Sequence, residues 1–227
     1  MSSSLETELI ITDDGSHSLF VPHLNEHYHS THGAIQEARH VFIQMGLYAN
    51  QLNHVNVLEI GFGTGLNAYL TLIESIKANI SVYYTALELY PLDISQAEQL
   101  NYAQHAANKK TEEFFMMLHK APWSKPTEIT DNFVLHKIED DFSKDNNITL
   151  DARFDVIYFD AFAPEKQPEM WTQHLFDRLF SLCNKNAVVT TYCAKGIVRR
   201  MFEKTGFKVE RLPGPPGKRE MLRCIKE

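Results

Sequence analysis

The chain has 227 residues, 44% of them apolar and 22% charged, with a net charge of −7. That suffices for one α/β domain with a sizeable core and is short for two full-sized ones. No segment reaches the roughly 20 apolar residues that span a bilayer, the amino terminus lacks the basic and apolar regions of a leader, and three cysteines without a C-x-x-C pair form no disulfide framework, so a reduced, cytoplasmic protein free of membrane is expected.

The acidic balance argues against broad nucleic-acid binding, but the charge is uneven. From Lys195 onward ten Lys/Arg face four Asp/Glu, a local +6, which leaves −13 for the rest. Either these cations are scattered over a solvated surface or they form a patch that meets phosphates.

Along the chain, residues 9–12 and 18–21 flank the turn Asp13-Asp14-Gly15 and read as a β-hairpin. A histidine-rich stretch follows. His27, His29 and His32 fit no standard zinc spacing, so no metal is expected. Ile35, Ala38, Phe42 and Met45 recur at helical spacing and predict a helix over 34–46. Residues 1–54 thus read as an amino-terminal hairpin-and-helix extension packed on a domain of residues 55–227.

From Val55 strands and helices alternate. Strands are expected at 57–60, 81–87, 132–138, 154–159 and 187–192, and helices at 67–76, 94–105, 111–119, 171–183 and 196–205. The near-continuous apolar run 154–159 suits a strand buried on both faces. Two closing strands, 207–212 and 220–225, flank Pro213-Gly214-Pro215-Pro216-Gly217. The fold class is α/β, a mostly parallel seven-stranded sheet with an antiparallel edge strand.

The most informative turn is Leu58-Glu59-Ile60-Gly61-Phe62-Gly63-Thr64-Gly65, at the first strand-to-helix junction. Glycines there permit a tight turn and close backbone approach to a ligand at the helix amino terminus. The spacing is G-x-G-x-G, not the G-x-G-x-x-G of dinucleotide enzymes. It resembles the E/D-x-G-x-G-x-G motif of class I methyltransferases, which implies a Rossmann-like fold and S-adenosylmethionine as cofactor, with Glu59, Gly61, Gly63, Gly65 and Asn67 around it. Glu88, 23 residues past Gly65, is placed to accept both ribose hydroxyls; its alternative is a surface carboxylate. Near the end of the third strand Glu139 or Asp140 is the candidate beside the adenine amino group, with the register open.

The fourth strand ends at Asp160-Ala161-Phe162-Ala163-Pro164-Glu165-Lys166-Gln167-Pro168-Glu169-Met170-Trp171-Thr172. Ligands of open α/β sheets bind beyond the carboxyl ends of the strands. Asp160 is therefore the candidate to hold an amine acceptor and take its proton; its alternative is a helix cap or turn residue. This D-x-F-A-P-x-K-x-P-x-M-W-T run resembles that of the methyltransferases that make 5-methylaminomethyl-2-thiouridine in tRNA. They occur fused to a flavin-dependent oxidoreductase (MnmC) or alone (MnmD). Glu37-Ala38-Arg39-His40-Val41-Phe42, Val198-Arg199-Arg200 and Gly217-Lys218-Arg219-Glu220-Met221-Leu222 resemble further segments, so the likeness runs from about residue 20 to the end.

The resemblance implies N-methylation of the 5-aminomethyl group of 2-thiouridine at the tRNA wobble position. It implies the stand-alone form, with no flavin domain in this chain. It also places the Tyr28 region and Glu37 at the mouth of the site. Tyr28 either stacks on an exposed uridine or packs; Tyr192, at the end of the fifth strand, either meets the base or closes the core; Phe162 of the motif is a further candidate for substrate binding. Lys218 and Arg219 are the leading phosphate contacts. The alternatives are another amine acceptor or aminopropyl transfer on the same fold.

Overall fold

The computed structural model describes residues 5–105, 109–144, 150 and 152–227. At the amino terminus β1 (Glu8–Ile11) and β2 (His17–Val21) form the expected hairpin. Asp14 holds its turn, its Oδ1 accepting from the Thr12 hydroxyl at 2.8 Å and the Ser16 amide at 3.0 Å. A two-residue strand, β3 (Glu26–His27), extends this into a three-stranded sheet. The helix expected over 34–46 is two pieces. α1 (Ala34–Ala38) passes directly into a π-helical stretch, Arg39–Gln44, closed by the Met45 amide on the His40 carbonyl at 3.1 Å.

The remaining elements are β4 (His54–Ile60), α2 (Leu66–Ala78), β5 (Ser81–Glu88), α3 (Ile94–Ala97), α4 (Lys109–Lys120), β6 (Thr127–Thr130), β7 (Phe133–Glu139), β8 (Phe154–Phe159), α5 (Gln173–Leu182), β9 (Cys183–Thr191), α6 (Gly196–Thr205), β10 (Lys208–Pro213) and β11 (Glu220–Ile225). The main sheet has the order β10-β11-β9-β8-β4-β5-β7-β6. Its five central strands run parallel; β11 near one edge and β6 at the other run against them, and β10 pairs antiparallel with β11 and so returns to the common direction. The fold class is the expected one, but the sheet has eight strands instead of seven. Thr127-Glu128-Ile129-Thr130 offers a single apolar residue to sequence patterning and pairs on β7 with a bulge, so it is a strand by edge pairing more than by composition.

The helix expected over 94–105 also breaks. α3 is one capped turn, and the chain then releases Asn101, whose side chain accepts from the His17 amide at 2.8 Å and donates to the Gly15 carbonyl at 2.9 Å. Pinning the hairpin to the main body outweighs helix continuation there. Two cores line the two sheet faces. One gathers Phe42, Tyr69, Tyr84, Phe133 and Tyr158; the other gathers Phe159, Trp171, Phe176 and Phe202, with the last two stacked at 4.2 Å.

Candidate active site

β4 and β8 are parallel neighbours, and from β4 the chain order grows through β5 and β7 on one side and through β8 and β9 on the other. At such a switch point the connections leave in opposite directions and open a crevice above the strand ends. Here it is a cavity of about 520 Å³, within the usual range for a cofactor site. Its floor is the turn from Gly61 to Thr64. Gly61 has φ +94°, and a Cβ on it would lie 2.7 Å from the Asp160 carbonyl oxygen, so the two strand ends meet only because this residue has no side chain.

Glu88 leaves the end of β5 and braces the same turn. Its Oε2 accepts from the Gly63 amide and its Oε1 from the Tyr90 amide, both at 2.8 Å. Burial raises its carboxyl above the ordinary range, an effect those amides and that of Leu89 oppose. The neighbouring strand end is tied in by the Asp140 amide on the Glu88 carbonyl at 3.0 Å. Asp140 lines the cavity, whereas Glu139 is exposed outside it. Two further expectations need correction. Gly65 shapes the turn at φ +73° without lining the cavity, and Glu59 is 0% exposed beneath it, behind the residues that a ligand can touch.

Asp160 follows β8 at the other end of the cavity. Asn67, in the first turn of α2, donates its side-chain amide to Asp160 Oδ2 at 2.8 Å. Burial pushes the Asp160 carboxyl up to about 7; Glu37 adds to the rise, while the Asn67 bond and the Lys218 charge oppose it. Glu37 on α1 accepts from the Ser30 amide at 2.8 Å and is ion-paired with Lys218. The Lys218 ammonium lies 3.9 Å above the Tyr192 ring. Tyr192 in turn donates its hydroxyl to the Ala161 carbonyl at 2.9 Å, and Tyr28 meets Phe162 edge to face at 5.2 Å.

Sequence reasoning thus assembled Tyr28, Glu37, Gly61, Gly63, Asn67, Glu88, Asp140, Asp160, Phe162, Tyr192 and Lys218, all around one cavity. Lys218, expected at a phosphate, is ion-paired with Glu37 inside the cleft. Arg219 is exposed and outside the cavity. Most other carboxy-terminal cations are also paired: Lys195 with Glu165, Arg199 with Glu203, Lys208 with Glu227 and Arg223 with Glu210. Among the described residues no ion pair holds Arg200, Lys204 or Arg219.

Sequence reasoning passed over Lys166, Gln167, Met170 and His29, which also line the cavity. The first three stand inside the D-x-F-A-P run, so their signal was present but not their direction. Gln167 Oε1 accepts from the Phe162 amide at 3.2 Å, and Trp171 Nε1 donates to the Phe162 carbonyl at 2.7 Å, so the motif fixes its own loop. The three amino-terminal histidines separate. His27 packs on Phe20, His32 pairs with Asp13, and His29 sits between the hydroxyls of Ser18 and Thr64. Among the described residues no helix is long and apolar enough to cross a membrane.

This geometry can be set beside known proteins. The family model described as S-adenosyl-L-methionine-dependent methyltransferase matches residues 101–227. The "tRNA 5-methylaminomethyl-2-thiouridine biosynthesis bifunctional protein MnmC" of Campylobacter fetus subsp. fetus is 30% identical over 213 residues, covering 88% of this chain and 33% of that protein. The protein of the same name from Pseudomonas entomophila is 28% identical over 240 residues, covering 99% and 36%. The chain therefore spans about a third of the length of the curated relatives it matches. The crystal structure of MNMC2 from Aquifex aeolicus superposes with a TM-score of 0.82 at 23% identity, over 99% of this chain and 71% of that one. A glycine turn without room for a Cβ, a carboxylate at the next strand end and a second acid just past the strand after it suit an adenosine that carries an amino-acid tail. By family match, fold and cleft, this chain belongs to the S-adenosyl-L-methionine-dependent methyltransferases and takes S-adenosylmethionine as its cofactor.

Proposed function

We propose that this protein methylates the exocyclic primary amine of 5-aminomethyl-2-thiouridine at the wobble position of tRNA, in the cytoplasm. The single observation that carries the reading is Asp160, a buried carboxyl at the switch point, held by Asn67 from the cofactor turn and poised near neutral pH. The D-x-F-A-P resemblance and the tRNA-modifying names of the relatives support the choice of acceptor, and three buried free thiols fit a reducing compartment.

In this reading Gly61, Gly63, Glu88 and Asp140 hold the cofactor, which supplies an electrophilic methyl on a sulfonium sulfur. An alkylamine arrives as ammonium and has no lone pair to offer. Asp160 accepts that proton and leaves the nitrogen lone pair free; with the cofactor bound, the methyl would pass to this nitrogen and the sulfonium would leave as a neutral thioether. Asn67 keeps Asp160 aimed. Tyr28, Phe162 and Tyr192 wall the space for an unstacked base, and Lys218 balances the charge of Glu37. Residues 1–54 act as a cap, contributing Tyr28 and Glu37 to the same cavity.

The test is Asp160→Ala, assayed for cofactor binding and for turnover on tRNA carrying the aminomethyl group. Cofactor affinity within about threefold of wild type and a kcat lower by about 10²-fold or more are expected, the scale of a lost general base. Near wild-type turnover removes Asp160 from the chemistry.

A further inference from the structure

Beneath the cavity four enclosed polar atoms stand without a hydrogen-bond partner in one place: both carboxyl oxygens of Glu59, Oδ1 of Asn67 and the hydroxyl of Tyr84. Buried polar atoms are almost always paired, so such a cluster calls for an explanation. No cation compensates Glu59 among the described residues. The titratable groups that face it are Asp160 beyond β8, Glu88 at the end of β5 and Tyr84 within β5, and across Asp160 lie Glu37 and Lys218. Asn67 and Tyr84 are the hydrogen-bonding side chains beside it.

The amide of Asn67 has one donating end and one accepting end. Its donor meets Asp160, so its Oδ1 faces away and needs a donor of its own. An ionised Glu59 offers only acceptors; it would turn the amide over and set Oδ1 against the Asp160 carboxylate. A protonated Glu59 offers one donor and one acceptor, which satisfies both neighbours at once.

We propose that Glu59 is a positioning residue: a neutral carboxylic acid that donates to Asn67 Oδ1, accepts from the Tyr84 hydroxyl, and so keeps the Asn67 amide donating to Asp160. Burial is the largest influence on Glu59 and favours the neutral form; the negative charges of Asp160 and Glu88 act the same way, while hydrogen bonding from Asn67 and Tyr84 opposes them without overcoming the rise. The motif acid therefore serves the acceptor side of the site, through Asn67, without touching the cofactor. The inference rests on the reading of Asp160 as the group that takes the proton.

The test compares wild type, Glu59→Gln, Glu59→Leu and Asp160→Asn by methyl-transfer kinetics across pH and by infrared spectroscopy at pH 8. Glutamine reproduces the donor and acceptor of a neutral acid; leucine offers neither. Glu59→Leu is expected to lower kcat about tenfold or more, the size of a lost bond to a charged group, with cofactor affinity changed less than about threefold. Glu59→Gln restores kcat to within about threefold of wild type, with the acidic limb of the pH profile in place. The infrared band of a protonated carboxyl is present in wild type and lost in Glu59→Gln. Three results each overturn the proposal: a limb in Glu59→Gln shifted downward by a unit or more, a band that persists in that variant, or wild-type kcat in Glu59→Leu. Should Glu59→Leu not fold, the glutamine variant and the infrared band decide alone. Turnover retained in Asp160→Asn contradicts the function reading and leaves the band as the judge of Glu59.

Discussion

Asp160 carries a stability cost along with its chemistry. Its carboxyl titrates near 7 in the folded protein against an ordinary 3.8. Between those values the folded state keeps a proton that the unfolded chain releases, so stability falls as pH rises from about 4 to about 7, and the full cost remains above that. The shift corresponds to about 4 kcal/mol. Asp160→Asn removes the cost, and its melting temperature is expected to exceed that of wild type at pH 8 and to approach it at pH 4. A variant that melts below wild type at pH 8 contradicts the assignment. The position of Asp160 was legible because a strand with six apolar or enclosed residues ends on it. Its partners were less so. Asn67 was visible as a cofactor-loop residue but not as the donor to Asp160, since that contact joins residues 93 positions apart. Glu59 read as a ligand-facing acid because motif spacing records order along the chain and carries no record of which atoms a cavity reaches.

At the scale of elements, the site depends on a connection whose regular structure is one 3-10 turn, Pro168–Met170. The run after β8 is held by Trp171 and Gln167 on the two backbone groups of Phe162. Trp171 packs on Phe159 and also donates to the Phe162 carbonyl. Trp171→Phe keeps most of the packing and removes the donor. It is expected to cost about 1 kcal/mol of stability and to lower kcat about tenfold by loosening Phe162, as read by denaturant melts and steady-state kinetics. Unchanged kcat detaches the brace from function. The long elements of the sheet were readable from period and punctuation, and α6 and β11 fall where expected. The departures lie where tertiary contacts override local preference: the π-helical turns that follow α1, the chain released after α3 for Asn101, and β6, a strand made by its neighbour.

For the whole molecule, the decisive quantity is where charge remains available. The carboxy-terminal excess of +6 suggested a phosphate-binding face; acids outside the segment take up two of those charges, with Lys195 on Glu165 and Lys218 on Glu37 inside the cleft. Residue counts cannot anticipate this, because pairing is set by the fold. Among the described residues of that segment Arg200, Lys204 and Arg219 are exposed and in no ion pair, and they are the proposed phosphate contacts, so tRNA binding is expected to be weak and salt-sensitive. Arg219→Ala should reduce the slope of log affinity against log salt by about one and leave kcat near wild type; an unchanged slope takes Arg219 off the RNA path. Lys218→Ala should act oppositely, lowering kcat with little change in that slope. The measurement that tests the account most directly is transfer of labelled methyl from S-adenosylmethionine to tRNA carrying 5-aminomethyl-2-thiouridine, beside the same tRNA without the aminomethyl group. The account predicts label on the first alone, recovered as 5-methylaminomethyl-2-thiouridine after digestion. Label on both, or on neither with a protein that binds the cofactor, contradicts it.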